Sequence, residues 1–150
     1  MKKYIGVKEI EAQQLTKAGF KAITGKKHEI TSEDNETEGY FIVYPDGYES
    51  WSPQDVFEAA YRETTGLTFG LAVEAAKKGA KIARTGWNGV GMYGYYVPDT
   101  VRAPLSDEEP TFDGMVRFRR HLMLKTAQND IAHWAPSGSD VLADDWMIVE

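Results

Sequence analysis

The sequence predicts an α+β protein of small antiparallel sheets, with one helix in each of two lobes. Three observations carry this reading. Two hairpin patterns, "YFIVYPDGYESW" and "RFRRHLMLKTAQNDIAHWA", place β-rich runs on either side of turn residues. Two amphipathic stretches, "SPQDVFEAAYR" and "LTFGLAVEAAKKG", carry helix caps at the expected offsets. Four or five short strands with one helix per lobe imply antiparallel α+β.

In chain order, residues 4–10 ("YIGVKEI") read as a first strand, weakened by Gly6. "LTKAGFKAITG" holds a short helix capped by Thr16, and the charged, aperiodic stretch 26–39 reads as a mobile loop. The first hairpin turns at Pro45-Asp46-Gly47. Its helix then starts with Ser52 as N-cap, Pro53 at the first helical position and Asp55 in a capping box, with Val56, Phe57 and Ala60 on one face. These elements make a first lobe, 1–62. A polar joint, "ETTG", leads to the second, 66–150. There Thr68 caps and Gly79 stops a helix whose buried stripe is Phe69, Ala72, Val73 and Ala76. "AKIAR" and "MYGYYV" are strands, Pro98 to Gly114 is acidic loop, "SGSD" is a turn, and "DDWMIVE" closes the chain as a strand.

Composition excludes several functions. With 150 residues, 42% hydrophobic and 27% charged, the chain is of ordinary globular type. It has no cysteine, which removes disulfides and thiolate sites, and its three histidines leave little for a metal. No stretch approaches the roughly 18 apolar residues of a membrane span, and the basic start runs into charge too early for a signal peptide, so a cytoplasmic location is expected. A net charge of −6 argues against long nucleic acid but permits a small nucleotide. Residues 66–150, with 9 basic and 11 acidic groups, are less hostile to an anion than 1–65, with 8 and 12.

The segment "RTGWNGVGMYGYYV", 84–97, concentrates four glycines and four aromatics. Gly86, Gly89 and Gly91 do not form a dinucleotide fingerprint. The loop runs from strand to strand, so the helix N-terminus that a phosphate cradle needs is missing. It does offer close backbone approach at the glycines, and flat faces on Trp87, Tyr93, Tyr95 and Tyr96, where stacking a base is worth about 1–3 kcal/mol. Asn88 supplies a donor and an acceptor, and Arg84 a fork for phosphate. The plainer alternative is a hairpin whose Trp87 belongs to the core. On 92–97, Met92, Gly94 and Tyr96 alternate with Tyr93, Tyr95 and Val97, so one tyrosine face packs on the helix and the other is open. Asp140 either caps "VLADD" or hydrogen-bonds a ribose or base. Asp144 and Asp145 diverge on a strand and make a poor catalytic pair, while Trp134 and Trp146 read as core. In "RFRRHLMLK", Arg117, Arg119, His121 and Met123 share one face. His121 and His133 read as structural, because no nucleophile or carboxylate lies beside them at recognisable spacing.

Residues 67–150 resemble the phage Thoeris anti-defence proteins of the second type. The resemblance rests on Phe69-Gly70, Ala72, Ala75, Gly79, Arg84, Gly86-Trp87-Asn88-Gly89 and Gly91-Met92, then on Trp134, Ser137, Asp140, Leu142 and Asp145-Trp146. It implies a homotetrameric sponge that sequesters glycocyclic ADP-ribose, the messenger of bacterial TIR-domain proteins, inside the infected cell without cleaving it. It also implies that some members take up cyclic dinucleotides of the CBASS system. Pockets between subunits would use Trp87, Asn88 and Asp140 first, then Arg84, Met92, Tyr93 and Tyr95, with no catalytic residue, metal or cofactor. Residues 1–62 resemble an accessory block of other phage proteins. Two rivals stand beside the sponge: a nucleotide-cleaving enzyme using His121 or His133 with an aspartate, and a module that binds a host protein.

Overall fold

The computed structural model describes residues 1–3 and 5–150. The chain divides into two compact units, Met1–Arg62 and Glu63–Glu150, both α+β with antiparallel pairing throughout their sheets.

In the first unit, β1 (Glu11–Gln14), β2 (Gly39–Val43) and β3 (Glu49–Pro53) form a sheet in that order. The first strand therefore lies later than the 4–10 expected: residues 5–10 have no regular structure, and Tyr4 lies outside the described residues. The sequence of β1, Glu-Ala-Gln-Gln, has no apolar alternation and is exposed throughout. It forms as an edge strand because its backbone pairs with Tyr40 to Val43, which no side-chain pattern announces.

The one-helix expectation fails here, since the first unit carries α1 (Lys17–Ile23), α2 (Ser32–Glu36) and α3 (Gln54–Ala60). Thr16 caps α1 as expected, accepting from the Gly19 amide. The stretch read as a mobile loop instead contains a 3-10 turn and α2, which a complete capping box starts. The Asp34 carboxylate accepts from the Thr31 amide at 2.8 Å and the Thr31 hydroxyl accepts from the Asp34 amide at 3.3 Å. Asp34 is buried, and Lys21 and Lys17 approach it at 2.7 and 3.1 Å. The Lys21 ammonium first, then the Thr31 amide, hold its carboxyl far below the ordinary range against the opposing push of burial. The helix caps α3 differently from expectation: Pro53 is the N-cap and Ser52 stays in the β3 ladder opposite Tyr40. Phe57 of α3 stacks on Tyr40 at 4.0 Å and on Tyr61 at 4.9 Å, which turns Val56 out to solvent rather than into the core.

In the second unit, α4 (Phe69–Lys77) is capped by Thr68, which accepts from the Leu71 amide, and ends where Gly79 adopts φ +103°. It packs on a five-stranded sheet whose order is β10 (Trp146–Val149), β4 (Lys81–Arg84), β5 (Tyr93–Val97), β8 (His121–Lys125) and β9 (Ile131–Trp134). The stretch expected to be loop, 98–114, contains β6 (Thr100–Arg102), paired with β7 (Val116–Phe118) in a separate ribbon. "RFRRHLMLK" is therefore broken at Arg119–Arg120, and Arg117 does not share the face of His121 and Met123. The "SGSD" turn is the start of a short helix, α5 (Gly138–Val141).

The core of this unit is Leu67, Ala72, Ala76, Ile82 and Trp146, with Phe69, Trp87, Tyr96 and Trp134 packed against it. Removing a tryptophan ring of about 200 Å² from water, as for Trp146, contributes on the order of 5 kcal/mol. Ladder parity places Ile82, Gly94, Tyr96, Leu122, Leu124, Trp134 and Trp146 on the α4 side. The opposite side displays Lys81, Ala83, Tyr93, Tyr95, Lys125, Met123, His121, His133, Ile131 and Met147. Those ten strand positions include four basic or imidazole groups and no carboxylate, in a chain whose net charge is −6.

Candidate functional site around the glycine loop

The loop between β4 and β5 begins at Arg84, on the α4 side of the sheet opposite Trp146. The Arg84 guanidinium forks between two carboxylates: Nε donates to Asp145 at 2.8 Å and Nη1 to Asp140 at 3.0 Å. Asp145 also accepts from the Gly86 amide at 3.0 Å. A Cβ at Gly86 would lie only 3.0 Å from the same carboxylate oxygen, so the turn closes tightly on Asp145.

Asp140 is the third position of a capping box at the start of α5 and does more than cap. One oxygen accepts from the Ser137 amide at 3.0 Å and its hydroxyl at 2.7 Å, while the other accepts from Arg84 and, at 3.3 Å, from the Trp87 indole. The Trp87 ring meets Trp134 and Trp146 edge-on, at 5.5 and 5.4 Å between centroids. Trp87 is partly buried against the core, as the plainer reading expects, and Asn88 next to it is exposed with no side-chain hydrogen bond among the described residues.

Burial pushes the Asp140 carboxyl up, but hydrogen bonds from the Ser137 hydroxyl, Arg84, the Ser137 amide and Trp87 outweigh it and hold the group at about 2. Arg84 likewise holds Asp145 below the ordinary range, and Asp145 first and Asp140 second raise Arg84. Two carboxylates around one guanidinium leave this cluster net negative. Its cation is already engaged.

The remaining residues of the expected site lie elsewhere. Met92 folds back toward Gly89, where a Cβ would fall 2.0 Å from its sulfur. Tyr93 and Tyr95 are on the side of the sheet opposite α4, with rings 6.2 Å apart, and Lys81 stands over Tyr93 at 5.3 Å. It is the Tyr96 face that packs on the core. Lys125, opposite Tyr93 in the ladder, donates to the Gly91 carbonyl at 3.1 Å. Gly91 has φ +69°, a conformation glycine adopts freely, and this directs the loop end toward Lys125.

The structure therefore gathers Arg84, Trp87 and Asp140 in one cluster and Tyr93 with Tyr95 in another, while Asn88 projects from the loop. Two members escaped the sequence reading. Asp144 and Asp145 are expected to diverge on a strand, but both precede β10, and Asp145 turns to Arg84 while Asp144 faces solvent. Lys125 closes "RFRRHLMLK", a basic stretch that a phosphate could meet, but its contact with the loop depends on ladder register.

The sequence model of the Tad2-like family, the Thoeris anti-defense 2-like domain, matches residues 67–149. The chain belongs to this family. Thoeris anti-defense 2 of Bacillus phage SP01 is 37% identical over 94 residues, which covers 57% of this chain and 97% of that protein. Phage anti-defence is thus the role of the Tad2-like domain, and the first unit lies wholly outside the family match. Among the described residues no helix is long and apolar enough to cross a membrane.

The carboxylates of the Tad2-like domain fix its response to acid. A depressed folded pKa contributes stability that is full above the ordinary carboxylate range, near pH 4, and lost as pH falls through the folded value. Glu109, held at about 2 first by Arg102 and then by the Leu105 amide, titrates in the same window as Asp140. Thermal melts should therefore show the wild type losing stability between about pH 4 and pH 2. Asp140→Asn should begin less stable at pH 7 and lose less across that window, because Glu109, Asp145 and, in the first unit, Asp34 still titrate while position 140 no longer does.

Proposed function

We propose that the chain counters host immunity by sequestering a cyclic nucleotide messenger, glycocyclic ADP-ribose of Thoeris or a cyclic dinucleotide of CBASS, and releasing it chemically unchanged. One observation carries this reading. The glycine loop is pinned at its base by the Arg84–Asp145 fork and the Asp140–Trp87 bond, while Asn88 is exposed at its crest and Lys125 is fastened to its end. A loop held in one shape has already met the ordering cost of binding. It leaves the Asn88 amide for a base or ribose, the exposed part of Trp87 and the Tyr93 and Tyr95 rings for stacking, and Met92 beneath the crest.

Arg84 and Asp140 act in this account as positioning residues, since they saturate one another. The phosphates meet Lys125 and Lys81 instead. The helix-side cluster and the tyrosines occupy opposite sides of one sheet, so a ligand touching both is enclosed only when a second copy completes the pocket. That requirement calls for a homo-oligomer, and the tetramer is the form the family resemblance implies.

The geometry favours binding over turnover. A nucleotide-cleaving enzyme would need His121 or His133 beside an aspartate, but these imidazoles lie together on the open face, 4.9 Å apart, and Asp140 and Asp145 lie on the other. Calorimetric titration with glycocyclic ADP-ribose tests the assignment. Asn88→Ala and Lys125→Ala should each weaken binding about tenfold, the equivalent of about 1.4 kcal/mol. His121→Ala should stay within about twofold of wild type. If none of a panel of cyclic nucleotides binds the wild type, the proposal fails.

A further inference from the structure

The first unit holds a cleft of about 450 Å³ lined by Lys8, Tyr44, Pro45, Asp46 and Tyr48. It sits at the tip of the β2–β3 hairpin. There the Tyr44 amide donates to the Tyr48 carbonyl at 2.9 Å, and Gly47, at φ +80°, returns its amide to the Tyr44 carbonyl at 2.8 Å. The turn therefore fixes two tyrosines side by side, rings 5.7 Å apart and tilted by 37°. Asp46, between them, uses one carboxylate oxygen to accept from the Tyr48 amide at 3.1 Å, and its other oxygen has no partner among the described residues. Two electron-rich ring faces beside a carboxylate make a seat for a cation.

A cation already occupies that seat. The Lys8 ammonium stands 4.8 Å from the centroid of the Tyr44 ring. Lys8 belongs to residues 5–10, which have no regular structure, and among the described residues no backbone hydrogen bond holds them. Glu11, three residues on, pairs with Val43, so the β1–β2 ladder brings the segment past the hairpin tip and the Lys8 side chain makes the contact there. The surrounding charge suits such an occupant, since residues 1–62 carry 8 basic and 11 acidic side chains and stand at −3.

We infer that this cleft is a receptor for a lysine side chain on an extended segment of a partner protein, and that Lys8 closes it from within the chain. A tethered occupant acts as a competitor at high effective concentration. An incoming lysine must displace it, so removal of Lys8 strengthens capture. The chemistry that selects the partner is an ammonium on an alkyl stem: the rings take the charge and Pro45 and the ring edges take the methylenes. Glutamine, of similar reach and without charge, is refused.

The test uses the full chain and an acetylated, amidated peptide copying residues 5–11, alongside the same peptide with glutamine in place of lysine. Binding is read from tyrosine ring resonances. The lysine peptide should bind Lys8→Ala at least fivefold more tightly than wild type, and the glutamine peptide should bind Lys8→Ala at least fivefold more weakly than the lysine peptide. Adding Tyr48→Ala should abolish saturable binding. Tyr48 is exposed and Lys8 lies outside every regular element, so these variants keep the fold, which circular dichroism verifies. Equal affinity for wild type and Lys8→Ala, equal affinity for the two peptides, or no saturable binding to Lys8→Ala overturns the inference. Tetramethylammonium binding as tightly as the peptide would reduce the site to a small-ammonium receptor and overturn the protein partner. Self-association that depends on Lys8, seen by sedimentation, would seat a second copy there and overturn it as well.

Discussion

Trp87→Ala should cost the second unit about 3 kcal/mol of stability, at the low end for a large aromatic removed from a core because the ring is only half buried. The void opens between Trp134 and Trp146, whose rings each meet Trp87 edge-on, and neither can move far because each also packs on Phe69. The same substitution leaves Asp140 without its indole donor and frees the base of the glycine loop. Messenger binding should therefore fall by more than stacking alone would explain, about a thousandfold (about 4 kcal/mol) against the 1–3 kcal/mol of a single stacked base. Trp87→Phe separates the two contributions. It keeps most of the packing and loses the hydrogen bond, so it should cost about 1 kcal/mol of stability. Chemical denaturation and titration below the melting transition, on the same protein, measure both.

Gly94→Ala should be destabilising by about 1–3 kcal/mol despite the better strand propensity of alanine. A Cβ at Gly94 would stand 2.6 Å from Cζ3 and 3.0 Å from Cε3 of Trp134. Trp134 is held among Phe69, Trp87 and Trp146, so the ring can yield only by disturbing the whole aromatic cluster. The strand cannot yield either, because β5 is paired on both sides, to β4 through Ile82 and to β8 along its full length. A denaturant midpoint that falls with unchanged slope would identify packing strain as the cause. A midpoint at or above wild type would show that the cluster is softer than its geometry requires.

The parts of the fold written in local chemistry were legible in the sequence. Thr68 and Gly79 bracket α4, Thr16 starts α1, and both hairpins turn where Pro45-Asp46-Gly47 and Ala127-Gln128-Asn129-Asp130 place turn residues. What escaped depended on contacts distant along the chain. Strand β1 has no apolar pattern and exists through its partner β2. Ribbon β6–β7 brings together residues on either side of a 13-residue excursion held by Arg102 and Glu109. The α2 helix is the exception, since Thr31 and Asp34 stand at capping-box spacing and were hidden by the density of charge around them.

The candidate site divides in the same way. Alternation along β5 identified Tyr93 and Tyr95 as sharing a face, and the ladder decided that this is the face away from α4. Arg84 was named for its fork, but whether that fork was free depended on Asp140 and Asp145, 56 and 61 residues further on. Sequence supplies the inventory of charges. Pairing decides which of them remain available to a ligand.

The central claim is capture without chemistry, and a mass balance tests it most directly. The protein is mixed with excess glycocyclic ADP-ribose, separated from free ligand by gel filtration, heated until it denatures, and the released nucleotide is quantified by mass spectrometry. The account predicts intact messenger in fixed proportion to protein, unchanged by longer incubation. Linear or hydrolysed nucleotide accumulating beyond the amount of protein would contradict it.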